Sequence, residues 1–217
     1  MEPGGRPGRC YRPVRLPEQS SLLLGLDWVD PKVTRITSVF SIKASIFEYL
    51  GRVPVLKGDA HFDILTVEPC ELTNTLCLGR SLFERPFFFM YSCLFSNSHV
   101  SLPFDNFTMG VLQELNVAPS QLHLNTWVSI QAFRVICDVF RFLSYYTSHL
   151  GEPVIWHSLI NQSGNVLFNS FTTSYKNFKG KFFKVFIQPE GTKLFFDEVG
   201  RSRFLMFSTR NPSKFKE

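Results

Sequence analysis

Four lysines, Lys176, Lys179, Lys181 and Lys184, interleave with Tyr175, Phe178, Phe182, Phe183 and Phe186 in the run SYKNFKGKFFKVF. Ammonium groups pair with phosphates and exposed rings stack on bases, the combination that single-stranded nucleic acid binding uses. The four lysines are therefore the candidate nucleic-acid contacts of the chain. On a strand, Phe182, Lys184 and Phe186 share one face, and Lys181, Phe183 and Val185 share the other. That mixing makes some of the rings core, so the plain alternative is a half-buried amphipathic strand with a solvated lysine rim.

No enzyme constellation accompanies the lysines. The patterns GxxxxGK[ST], GxSxG, HExxH and GxGxxG are absent, and with them the common phosphate-cradle, hydrolase, zincin and dinucleotide signals. Asp-[ST]-Gly, YxDD and a Cys–Cys–His–Cys knuckle are missing too. A transposase-like, magnesium-dependent nuclease must converge carboxylates on its metal; Asp105, Asp138 and Glu190 are the ones that would have to meet. His123 stands just before a helical pattern, where a capping role competes with a ligand or base role. No catalytic, cofactor-binding or metal-binding residue is assigned, and no small-molecule substrate is evident.

The balance of residues bounds the rest. The chain has 217 residues, 44% hydrophobic and 19% charged, enough apolar material for a packed core. Phenylalanine is in excess, with 24 copies, and reads as core filling. The net charge of +5 sits at the two ends: residues 174–217 hold ten basic and four acidic side chains, whereas residues 53–173 hold five and nine. A basic C-terminal region permits contact with a polyanion. Cys10, Cys70, Cys77, Cys93 and Cys137 are odd in number and have no CxxC spacing, which suits buried free thiols in a reducing compartment. No apolar run has the length of a membrane span or the form of an export signal. The expectation is an intracellular protein of nucleus or cytoplasm, not secreted.

The elements that must position these residues follow from periodicity. Residues 1–26 carry four Pro, four Arg and little to bury, and read as a disordered basic tail. Residues 27–217 read as a single α+β domain, helical over 27–150 and strand-rich over 151–217. Its anchor is a buried helix at about 125–142, wet only along Gln131, Arg134, Asp138 and Arg141, with Asn125 at the N-cap. Helices are also expected over Ser41–Leu50, facing inward through Ile42, Ile46, Phe47 and Leu50, and over Asp105–Leu115. His61–Val67 reads as a strand, and Pro86–Phe95 as a helix or a buried strand. Apolar runs at Val154–Ile160, Val166–Phe171, Phe182–Ile187, Lys193–Phe196 and Phe204–Phe207, split by turn residues, suggest a short-stranded antiparallel meander.

Several blocks resemble a known family. LPFDNFTMGVLQELNVAPSQLHLNTWVSIQAFRVICDVF, SYKNFKGKFFKV and FDEVGRSRFLMFSTRNPSKFK are similar, in order and spacing, to the gypsy-type transposon domain of plant genomes, whose members are also labelled plant transposase or retrotransposon proteins. The likeness runs from about Trp28 to the C-terminus. It departs at Leu124, where the family has Pro, and at Leu205 and Ser208, where it has Pro and Trp. The resemblance implies an element-derived origin and carries no catalytic residue. The expected function is a non-enzymatic module of a retrotransposon-type element that binds nucleic acid or a partner. The alternatives are the nuclease above and a gag-like module that self-associates.

Overall fold

The computed structural model describes residues 29–56, 63–71, 74–76, 85–137, 146–150, 157–161 and 177–210, with the backbone alone at 135–137, 146–150 and 157–161. In chain order the helices are α1 (Pro31–Thr34), α2 (Lys43–Leu50), α3 (Ser92–Asn97), α4 (Asn106–Leu115), α5 (Leu124–Cys137) and α6 (Thr192–Phe195). The strands are β1 (Leu65–Glu68), β2 (Phe87–Tyr91), β3 (Tyr146–Leu150), β4 (His157–Asn161) and β5 (Phe182–Ile187). The protein is of mixed α+β class with a three-stranded antiparallel sheet, as the sequence leads one to expect.

The pairing within that sheet is not a local meander. Its order is β1-β5-β2, so the late strand β5 lies between two strands from the first half of the chain. Leu65 faces Ile187 on one side, and Phe87 faces Phe186 on the other. β3 and β4 form a separate antiparallel pair, with β4 alongside α5. Lys193–Phe196, expected as a strand, is instead one turn of helix ending in an isolated bridge from Phe196 to Ser202. Phe204–Phe207 is irregular and serves as packing, and Val166–Phe171 lies outside the described residues.

Both faces of the sheet are covered, and every residue of β5 is buried. On one face Phe183 meets Phe40, Tyr49 and Phe95 at 5.7 to 5.9 Å between ring centroids. Phe88, on the same face, meets Phe104, Phe195 and Phe204, and Phe104 in turn stacks on Trp127 of α5. On the other face Phe87 packs on Phe186 and Phe207, and Tyr91 on Phe178. Burying each such ring is worth roughly 1.5–3 kcal/mol, with edge-to-face geometry adding about 1. The excess of phenylalanine is thus spent on two aromatic layers around one strand.

Pro86–Phe95 resolves into both readings offered for it. FFFMY is a strand buried on both faces, and the chain turns directly into α3 at Ser92, whose N–H donates to the Lys181 carbonyl at 2.8 Å. α4 begins where expected, with the Asp105 carboxylate accepting from the Thr108 N–H at 2.8 Å. It ends on Asn116, whose left-handed backbone (φ 51°) lets the Val117 N–H close on the Leu112 carbonyl. α5 is the buried central helix: among its residues from Leu124 to Arg134 none is exposed, and the Trp127 indole N–H donates to the Pro119 carbonyl. It starts one residue earlier than Asn125 would allow as cap. The His123 ring does the capping, Nδ1 accepting the Asn125 N–H at 3.2 Å.

A close approach fixes the start of β1. A Cβ on Gly191 would stand 2.5 Å from the Ile64 carbonyl oxygen, the same oxygen that accepts the Gln188 N–H. Gly191→Ala is expected to cost about 1–3 kcal/mol of stability by pushing Ile64 off β5; chemical denaturation would read it, and an unchanged midpoint would contradict the contact.

Candidate functional site

The lysine run does not form one face. Lys176 lies outside the described residues, so its place is not part of the site's geometry. Lys179 and Lys181 sit on the turn that leads into β5, Lys179 half-buried and Lys181 exposed. Lys184 is 5% exposed, its ammonium 4.6 Å from the Phe87 ring centroid and 5.7 Å from that of Phe186. The sequence pairing of Phe182, Lys184 and Phe186 on one face is borne out, but that face is core. Lys184 is thus placed to support the aromatic layer through its stem and its charge, and it has no access to a phosphate backbone.

The turn is built by the opposite end of the chain. Asn177 takes a left-handed backbone (φ 63°), and the Val39 N–H donates to the Gly180 carbonyl at 2.9 Å. The Ser38 hydroxyl donates to the Phe182 carbonyl. Beside the turn is a recess of about 380 Å³ lined by Tyr49, Cys93, Asn97, Asn177 and Lys181 among others. Burial pushes the Cys93 thiol up to about 12 and raises the Tyr49 phenol as well, so neither is an activated nucleophile or base at neutral pH. Burial likewise pushes Cys70 up to about 12.

The other groups that could do chemistry are engaged structurally. Burial would raise Asp105, but its bonds from Thr108 and the nearby Arg134 guanidinium, 3.4 Å away, hold it below the usual carboxylate range. Glu190 is exposed on the turn Pro189–Gly191, and Asp138 lies outside the described residues. Among the described residues no three His, Cys, Asp or Glu side chains group closely enough to hold a metal ion. Burial, and then the positive charge of Lys179, lower the pKa of His123, which keeps its ring neutral and its Nδ1 free to accept.

A second concavity had no signal in the sequence. Between α2 and β1 runs a groove of about 550 Å³ whose walls are Ile46, Leu50, Val55 and Leu56 on one side and Thr66 and Val67 on the other. Lys43 stands at the rim on α2, and Arg85 stands over Glu68, bonded to it at 2.7 Å. Phe47, expected to face inward, is 69% exposed along this rim, and Ile42 of the same expected stripe is exposed as well. Only Ile46 of the expected α2 stripe is fully buried. No charge run or motif marks the groove because its parts, a short helix, a connecting run and a four-residue strand within residues 43–69 plus Arg85, carry no pattern of their own. The exposed Phe47 is the sole trace, and periodicity assigned it to the core.

Among the described residues no helix is long and apolar enough to cross a membrane. Compared with protein-family models, curated proteins and solved structures, the chain matches none.

Two outcomes follow from this geometry. Lys184→Ala is expected to lower stability by about 2–4 kcal/mol, while Lys181→Ala stays within about 0.5; thermal melts of the two variants compare them directly. His123 has a folded pKa below its unfolded value of 6.5, so its contribution is full above pH 6.5 and is lost as pH falls through the folded value. His123→Ala should be less stable at neutral pH and should lack that part of the acid limb, readable from denaturation midpoints across pH.

Proposed function

We propose that the chain is a non-catalytic interaction module that holds a partner polypeptide in the groove between α2 and β1. The observation that carries the reading is the conjunction at one place of an open apolar trough, a strongly exposed Phe47 on its rim and the margin of a sheet. A concavity of this size, apolar on its walls with a few polar groups at the rim, has the form in which proteins hold ligands. The basic turn supports less: of the four lysines proposed for nucleic acid, Lys181 is exposed, Lys179 half-buried and Lys184 enclosed. The likeness of the sequence to the gypsy-type transposon domain is the ground for reading an element-derived origin, and the odd number and scattered spacing of the cysteines are the ground for an intracellular setting.

The test is site-specific photo-crosslinking in cells that express the full chain. A photoreactive residue at position 47 is expected to capture discrete polypeptides that the same residue at Val199, equally exposed but remote in sequence, does not. Adducts of equal pattern at both positions, or none at either, would overturn the reading. Purified protein is then titrated with single-stranded and duplex nucleic acid across a salt series. Affinity falling by roughly one log unit per log unit of salt for each phosphate neutralised, and weakened by Lys181→Ala, would replace the interaction reading with a nucleic-acid one.

A further inference from the structure

We infer that the groove recognises an extended peptide by strand addition: an apolar segment bearing an acidic residue pairs its backbone with Val67 and lays alternate side chains against Ile46, Leu50 and Val55. The inference rests on the interaction-module reading above and gives its partner a chemistry.

The hydrogen-bond parity of the sheet supplies the first argument. The Gln188 N–H bonds to the Ile64 carbonyl, and the Ile187 N–H bonds to the Pro86 carbonyl, each at 2.9 Å. With the observed registers, even-numbered residues of β5 therefore bond to β1 and odd-numbered ones to β2. Val185 faces Val67 yet spends its own N–H and C=O on Phe88 across the sheet. The N–H and C=O of Val67 consequently point away from β5, toward the groove, and nothing among the described residues pairs with them there. The next outward position is Pro69, which has no N–H to offer. The open edge is short, and it is aimed at an apolar trough flanked by a helix, the arrangement in which main-chain bonds give affinity and side-chain pockets give selectivity.

Charge supplies the second. Arg85 is neutralised by Glu68, and Arg52 by Glu48. Lys43 has no ion-pair partner among the described residues, so the rim carries one uncompensated positive charge. An acidic residue in the occupant complements it. A second copy does not, because an isologous contact would bring the same positive rim against itself.

The experiment uses the full chain and a library of short fluorescent peptides with apolar residues at alternate positions, in matched acidic, neutral and basic sets. The acidic set is expected to bind tightest, by about two- to fivefold at low salt, with the preference lost in Lys43→Glu. N-methylation of the peptide backbone, one residue at a time, should lower affinity about tenfold at alternate residues and little between them. That scan leaves the protein untouched, so it stands even if Val67→Pro fails to fold. Peptides that compete with the crosslink at position 47 but show no alternation under N-methylation would overturn strand addition and leave the interaction module standing. No peptide binding together with no crosslink at position 47 would remove both. A concentration-dependent mass in light scattering, abolished by Lys43→Glu or Val67→Pro, would give the groove to a second copy and overturn the peptide.

Discussion

Phe182–Ile187 has its backbone bonded on both edges and its side chains enclosed on both faces, and the other elements are arranged to make that possible. Its odd residues bond to β2 and meet Phe40, Tyr49 and Phe95. Its even residues bond to β1 and meet Phe87 and Phe89. A slip of one residue would drive Lys184 into the aromatic layer under α2 and put Phe183 where an ammonium now lies against Phe87, so the register has no near competitor. The turn at 177–181, the latch from Ser38 and Val39, and the close seat of Gly191 on Ile64 all serve to deliver this one strand into its slot.

Helices were the legible part of the sequence because their signals are local. The Asp105 cap and the Asn116 stop bracket α4 within reach of a few residues, and the near-continuous apolar run of α5 announces a buried helix wherever it sits. Strand partners were not legible. A run such as FFKVFI shows that it is buried, but its pairing with residues 91 to 122 positions earlier is settled by three-dimensional packing that no short window contains. Lys193–Phe196 misled for the reverse reason: KLFF shortly after Pro-Glu-Gly fits a strand, while the 3-10 turn at Pro189–Gly191 carries on into a helical turn. Asn125 looked like a cap by residue type, and the ring of His123 reached the free N–H first.

The candidate sites divide in the same way. Lysines interleaved with rings are visible in a string, but whether a lysine faces water depends on its strand being central or marginal. Lys184 became core because β5 is central, and Lys181 stayed outside because it precedes the strand. The groove depends on the opposite fact, that β1 is marginal. It is assembled from an eight-residue helix, a four-residue strand and Arg85, none of which carries a pattern by itself. Phe47 broke the helical period at the rim of an apolar groove, which is how a recognition surface departs from the consistency seen elsewhere in a fold.

The order β1-β5-β2 also governs what the ribosome must hold in suspense. β2 is complete once Tyr91 has been made, yet the strand that covers it begins at Phe182. At roughly 5–20 residues per second, FFFMY spends on the order of 5–20 s in the nascent chain as an unpaired, wholly apolar strand. Such a segment is a ready substrate for chaperones and a ready seed for aggregation. Yield of the protein in a cell is therefore set as much by what shelters that segment during translation as by the stability of the finished sheet.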